Sequence, residues 1–161
     1  MLAHKLVLED FDSPFKLIAI HCSSEEYKLA FLLNRHLNLK LARTRKDHDY
    51  TTKVVRAEFA LYRYNKEKEY CDYFLISNKF RVESGSTSAA GSLFGEETLD
   101  SNLIYLLPQY RNIDFLLKIE GENELVSEKI LLAKIKEIPQ VSTAYSIDTD
   151  NLKFKENLIF D

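Results

Sequence analysis

The sequence predicts an α+β fold in one domain spanning residues 1–161: a largely antiparallel sheet with two main helices on one face. Three observations predict it. Two stretches each join an apolar strand to an amphipathic helix and a further strand, FKLIAIHC through LKLAR and IDFLLKI through VSTAYSID. Between them lie two alternating segments that read as a hairpin. The polar-out alternation of that hairpin and of the last strand suits antiparallel strands, because strands of a parallel sheet are buried on both faces. An elaborated ferredoxin-like topology with a hairpin insertion is the expected arrangement.

The elements follow in order. PFKLIAIHC is apolar on both faces, as an interior strand is. Ser23 with Glu26 three residues on reads as a capping box, and Tyr27, Ala30 and Phe31 with Leu29, Leu33 and Leu37 trace a broad apolar helical face. LNLKLAR then alternates as a strand. From 54 to 64, Val55, Ala57, Phe59 and Leu61 share one side, answered by Phe74, Ile76, Phe80 and Val82 in a return strand. The charged NKEKE connection has no glycine, which favours a longer open turn. SGSTSAAGSLFGEETLDSN, residues 84 to 102, holds three of the four glycines and is the clear loop dividing two halves. NLIYLLP and IDFLLKIE read as strands meeting at a corner, with Asp114, Lys118 and Glu120 on the polar side. The helix of ELVSEKILLAKIKEI must stop before Pro139. In the last strand Val141, Thr143, Tyr145 and Ile147 alternate against Ser142, Ala144, Ser146 and Asp148.

Composition limits the function classes. The chain has 45% hydrophobic residues, enough to bury a core without metals or disulfides, and a net charge of -3 that marks no polyanion binder. Met1 to Asp12 lacks a signal-peptide h-region, and no segment reaches the roughly 18 apolar residues of a membrane span, so a cytoplasmic protein with no membrane partner is expected. Cys22 and Cys71 lie in apolar contexts and read as buried, reduced thiols.

Catalytic signatures are missing. Five residues separate Gly85 from Gly91 where a P-loop has four, and Ser92 stands where its lysine would be. The histidines and cysteines show no metal-ligand spacing, and there is no G-x-S-x-G elbow, so neither a metal nor another cofactor is expected. The densest polar cluster is RTRKDHDY, residues 43 to 50, at a strand end where binding residues often sit. Arg43, Arg45 and His48 are its candidate binding residues. Residues 43 to 81 hold ten Lys/Arg against six Asp/Glu, so the charge is uneven along the chain. Tyr62 and Tyr64 lie there on the face opposite the Val55 to Leu61 stripe. On an open sheet they could stack RNA bases; covering a helix or a dimer partner is the favoured alternative. NLKFKENLIFD ends on Leu158, Ile159 and Phe160, which should dock on the domain or insert into a second subunit. A homodimer is the expected assembly, with no small-molecule ligand identified.

LPQYRNIDF, residues 107 to 115, resembles the signature of the bacterial IPExxxVDY family of uncharacterised proteins. Pro108 and Asp114 match, while Leu107, Gln109, Ile113 and Phe115 replace Ile, Glu, Val and Tyr. HKLVLEDFD, the YKLAFLLNRHLNLKLARTRKDHDY stretch, GSLFGEE, IPQVSTAYSID and NLIF carry the resemblance over most of the chain. It implies no activity. The leading expectation is a non-enzymatic binding or regulatory module using the sheet face or the 43 to 50 loop. The alternatives are an RNA-associated protein, and a small enzyme with Asp114 or His48 as acid-base. Locally, Pro108 ends one strand and Ile113 restarts another, which makes Asp114 chiefly a corner residue, hydrogen-bonded by the turn or paired with Arg111.

Overall fold

In chain order the elements are β1 (Phe15–Cys22), α1 (Glu26–Leu37), β2 (Ala42–Arg43), β3 (His48–Thr51), β4 (Arg56–Phe59), β5 (Leu61–Lys66), β6 (Cys71–Ser77), β7 (Lys79–Arg81), β8 (Leu103–Tyr105), β9 (Phe115–Gly121), α2 (Glu128–Lys136) and β10 (Val141–Ile147). The computed structural model describes residues 14–82, 102–121 and 126–160. All but Asn102 of the expected 84–102 loop, and the Met1 to Asp12 segment, lie outside the described residues.

Six strands form one sheet in the order β10-β1-β9-β6-β5-β2, with every neighbouring pair antiparallel. β9 and β10 therefore run parallel on either side of β1, and α2 carries the chain between them, as in a split βαβ unit. β1 and β2 are likewise parallel, joined by α1 and separated by three strands. The β5–β6 hairpin is inserted between β2 and β9. The α+β class holds, and both helices pack on one face.

Beneath the helices, Ile18, Ile20, Leu75, Leu117 and Ile119 of the sheet meet Leu29, Leu33, Leu131 and Ile135. Leu29, Leu33 and Ile135 are fully buried, each contributing about 1.5–3 kcal/mol relative to exposure. The second face is covered too. Leu17, Ala19, Phe74, Ile76 and Leu116 pack under Phe59, Leu106, Leu107, Ile113, Leu158 and Phe160. The β3–β4 hairpin, the β7–β8 pair, the 106–113 corner and the segment after β10 make this second layer.

Local chemistry sets several boundaries differently from the periodicity. Glu25, not Ser23, is the N-cap of α1, and its side chain makes no cap bond; Tyr27 and Phe31 are exposed, so the buried stripe is the narrower Leu29, Ala30, Leu33, Leu37. Asn38 ends α1 in the left-handed conformation, at φ 54°. Asn34 then takes the ladder partners of the following residues: its Oδ1 accepts from Leu41 N at 2.8 Å and its Nδ2 donates to Leu41 O at 3.0 Å. Only Ala42 and Arg43 of the expected 37–43 strand are left to pair with β5. The long hairpin is two hairpins. β4 pairs with β3, and β5 pairs with β6 in a register that sets Leu61 opposite Ile76 and Lys66 opposite Cys71. A 3-10 turn, Glu67–Glu69, with Tyr70 at φ 52°, makes the connection that glycine would otherwise serve.

β6 ends at Ser77, and the chain turns out of the main sheet so that Phe80 pairs with Ile104 of β8. α2 starts on Ser127, whose Oγ accepts from Ile130 N at 3.3 Å, and ends at Lys136, short of Pro139. The register shifts between His21 and Cys22, a bulge that places Val141 and Ala144 together on the helix side while Ile147 joins the other layer. Strict alternation along β10 is broken for that reason. Cys22 and Cys71 are free and buried. No helix among the described residues is long and apolar enough to cross a membrane.

Candidate functional site

The cleft at residues 43–49 forms where β2 hands over to β3. Thr44 N donates to Leu61 O at 2.8 Å, and the Thr44 hydroxyl donates to Lys46 O at 2.6 Å, which closes the turn tightly. That turn directs Arg45 and Lys46 into solvent. Next along the wall, β3 sets Asp49 opposite Glu58 of β4. Two carboxylates directly across a ladder repel one another. Arg56 sits between them, 2.9 Å from Glu58 Oε1 and 3.7 Å from Asp49 Oδ1.

Together these residues line an open cleft of about 430 Å3 that includes Arg43, Arg45, Lys46, Asp47, Asp49 and Glu58. Arg43 is committed to Asp47, its Nη2 lying 3.1 and 3.2 Å from the two carboxylate oxygens, and that hydrogen bond raises the Arg43 pKa. Arg45 and Lys46 make no ion pair among the described residues. The acidic members of the wall are thus engaged by Arg43 and Arg56, and two cations remain at the mouth. A volume of this size accommodates a small ligand, and the chemistry on offer is recognition of an anionic group. A second depression of about 360 Å3, lined by Asn65, Glu67, Tyr70, Cys71 and Asp72, carries carboxylates and no cation.

The other expected site residues are elsewhere. His48 leaves the cleft: its Nε2–H donates to Asn157 O at 3.0 Å, so the proton is on Nε2, and its ring stands edge-on to Phe160 at 4.8 Å. Tyr62 is buried at 8% exposure beneath the helices, where desolvation raises its pKa. Tyr64 is partly buried against the same core and stacks on the buried Tyr73, ring centroids 6.2 Å apart. The open aromatic platform on which bases could stack is therefore absent at Tyr62 and Tyr64: Tyr62 packs in the core beneath the helices, and Tyr64 packs against that core beside Tyr73.

Asp114 is a corner residue. Its Oδ2 accepts from Cys22 N at 3.0 Å, at the bulge that ends β1, and its Oδ1 lies 3.1 Å from Lys79 Nζ. The partner is Lys79 and not Arg111, whose guanidinium lies 5.6 Å from the ring centroid of Tyr105. The residue that organises the corner is one the sequence reading passed over. Asn78 is 0% exposed. Its Nδ2 donates to Tyr110 O at 2.8 Å and to Ile113 O at 3.2 Å, and its Oδ1 accepts from Leu107 N at 2.9 Å. The available signal was the polar Ser77-Asn78-Lys79 break between the apolar residues of FLISNKF, at the point where β6 stops.

Lys118 also differs from expectation. It is buried at 5% exposure instead of lying on a polar outer face. Its Nζ pairs with Glu120, donates to Leu158 O at 2.7 Å, and lies 4.8 Å from the Phe15 ring centroid and 5.4 Å from that of Phe160. Burial lowers its pKa, partly offset by Glu120. The segment after β10 docks over this lysine on its own domain, further held by Gln109 Oε1 accepting from Lys153 N at 2.9 Å and Asn157 Nδ2 donating to Leu106 O at 2.8 Å.

Among the described residues no group of three His, Cys, Asp or Glu side chains could hold a metal ion. No protein-family model matches the chain, and a search of curated proteins finds no match.

Proposed function

We propose that the protein is a non-enzymatic binding module whose cleft at residues 43–49 takes up an anionic group, a phosphate or a carboxylate. The observation that carries this is the pair of cations at the cleft mouth: Arg45 and Lys46 have no carboxylate partner among the described residues, while the neighbouring acidic groups are matched by Arg43 and Arg56. Both faces of the sheet are covered by the chain itself, which directs binding to the loop. Arg45 supplies planar, forked donors and Lys46 a point charge, a combination suited to phosphate oxygens. An RNA ligand would be held through its phosphates alone.

A cytoplasmic location and membership of the IPExxxVDY family belong to the same proposal. Two free, buried thiols support the first. The match of Pro108 and Asp114, with Asp114 tying the corner to β1, supports the second. Calorimetric titration with inorganic pyrophosphate at low salt tests the anion site. Binding that weakens about tenfold or more in Arg45→Ala/Lys46→Ala, a loss of ~1.4 kcal/mol or more, and that weakens with added salt, supports it. Equal affinity of the variant and the parent, or no binding at low salt, overturns it.

A further inference from the structure

The two edges of the six-stranded sheet are built differently. β2, at one edge, is two residues long and carries Arg43. β10, at the other, runs seven residues and pairs with β1 on its inner side and with no strand among the described residues on its outer side. A long edge of unpaired N–H and C=O groups templates pairing with another chain, and proteins that stay apart blunt such edges with charges, prolines or short strands. VSTAYSI contains no charged residue and no proline. Its one irregularity, the register shift between His21 and Cys22, falls near Ser142 and leaves the strand regular beyond it.

The strand is also complementary to itself. Antiparallel pairing about a two-fold axis through Ala144 sets Ser142 opposite Ser146 of the second copy and Thr143 opposite Tyr145, with no charge facing a charge. Thr–Tyr is a β-branched–aromatic cross-strand pair of the stabilising kind. Thr143 is exposed and Tyr145 is 39% exposed. On the helix side, Glu128 of α2 hydrogen-bonds Ser146, and Ile130, two residues on, is 58% exposed.

We propose that β10 is a homodimer interface, through which two copies join their sheets edge to edge into one continuous antiparallel sheet of twelve strands, twice the six of one copy. The occupant is a second copy because the edge offers it main-chain hydrogen bonds and like-for-like side-chain pairing in one register. The cleft at residues 43–49 lies beside the opposite edge, so the dimer leaves it open, and this inference stands independently of anion binding.

Light scattering of the full chain over a concentration series up to tens of micromolar is expected to give twice the 18.8 kDa chain mass. Thr143→Lys/Tyr145→Lys sets lysine opposite lysine across the axis and is expected to be monomeric with unchanged far-UV circular dichroism. Thr143→Lys/Tyr145→Glu sets lysine opposite glutamate and is expected to restore the dimer. A parent protein that stays monomeric, a Lys/Lys variant that stays dimeric, or a Lys/Glu variant that stays monomeric each overturns the proposal. Should the Lys/Lys variant fail to fold, amide hydrogen exchange on the parent decides. Protection of residues 143–147 that rises with protein concentration supports the edge pairing, and protection independent of concentration overturns it.

Discussion

Asn78→Ala is the perturbation that tests whether the 106–114 corner is held by one buried amide. The parent side chain is 0% exposed and satisfies three main-chain groups: Tyr110 O, Ile113 O and Leu107 N. Alanine removes the partners and leaves those groups inside. Tyr110 O still accepts from Ile113 N at 3.2 Å, so Leu107 N and Ile113 O are the groups left unsatisfied, and at ~1–3 kcal/mol for each buried polar group the two set a range of ~2–6 kcal/mol. Water entering the vacated space re-satisfies some of them, and the expected loss is about 3–4 kcal/mol, a large part of a typical domain's 5–15 kcal/mol. In urea, with a slope near 2 kcal/mol/M, the midpoint should fall by roughly 1.5–2 M with the slope unchanged. Asn78→Asp serves as a control. It keeps the acceptor for Leu107 N but turns an oxygen toward Tyr110 O and Ile113 O, so it should cost at least as much as alanine despite conserving volume. A midpoint shift below about 0.5 M for Asn78→Ala, or an aspartate variant near the parent, would refute the keystone role.

Two further outcomes follow from the same hydrogen bonds and burial. Asp114→Asn keeps an acceptor for Cys22 N and gives up only a pair with Lys79 that is one-third exposed on both sides, so it should cost under about 1 kcal/mol; Asp114→Ala also strips the Cys22 amide of its acceptor and should cost about 1–2 kcal/mol, read from thermal melts. A loss of binding without loss of stability in Asp114→Asn would restore it as a site residue. Stability should also turn over in alkali. Burial raises the pKa of Tyr73, so its contribution is intact below the unfolded phenol value near 10 and declines above it, by about 1.4 kcal/mol per pH unit. Burial lowers the pKa of Lys118, so unfolded lysine keeps its proton longer and stability rises with pH until near 10.4. Urea midpoints from pH 8 to 11 should therefore peak near pH 10, with Tyr73→Phe flattening the descending limb. A descending limb unchanged in Tyr73→Phe would show that this phenol is not the group responsible.

The sequence by itself determined the α+β class, both helices, the stop of the second before Pro139, the helix-facing stripe of Leu29 and Leu33, and the character of Pro108 to Asp114 as a corner, because these follow from residue periodicity and from the backbone limits of proline. It also marked the 43–50 cluster, since a run of charges after a strand is local information. Tertiary structure alone decided which strands pair and what covers each face. Leu61 reads the same whether its strand pairs with β4 or β6, and alternation cannot say that a second layer lies on the far side. For that reason Tyr62 looked available and is buried, and Lys118 looked like a surface residue and holds Leu158 O within an aromatic surround. Asn78 shows the difference most clearly. One amide in the short polar break after FLI carries little local signal, and its role exists only because the fold brings Leu107, Tyr110 and Ile113, some thirty residues away in sequence, within hydrogen-bond reach. The edge position of β10 is of the same kind: the absence of charge in VSTAYSI is visible in the sequence, but only the strand order among the described residues puts that strand at an edge of the sheet.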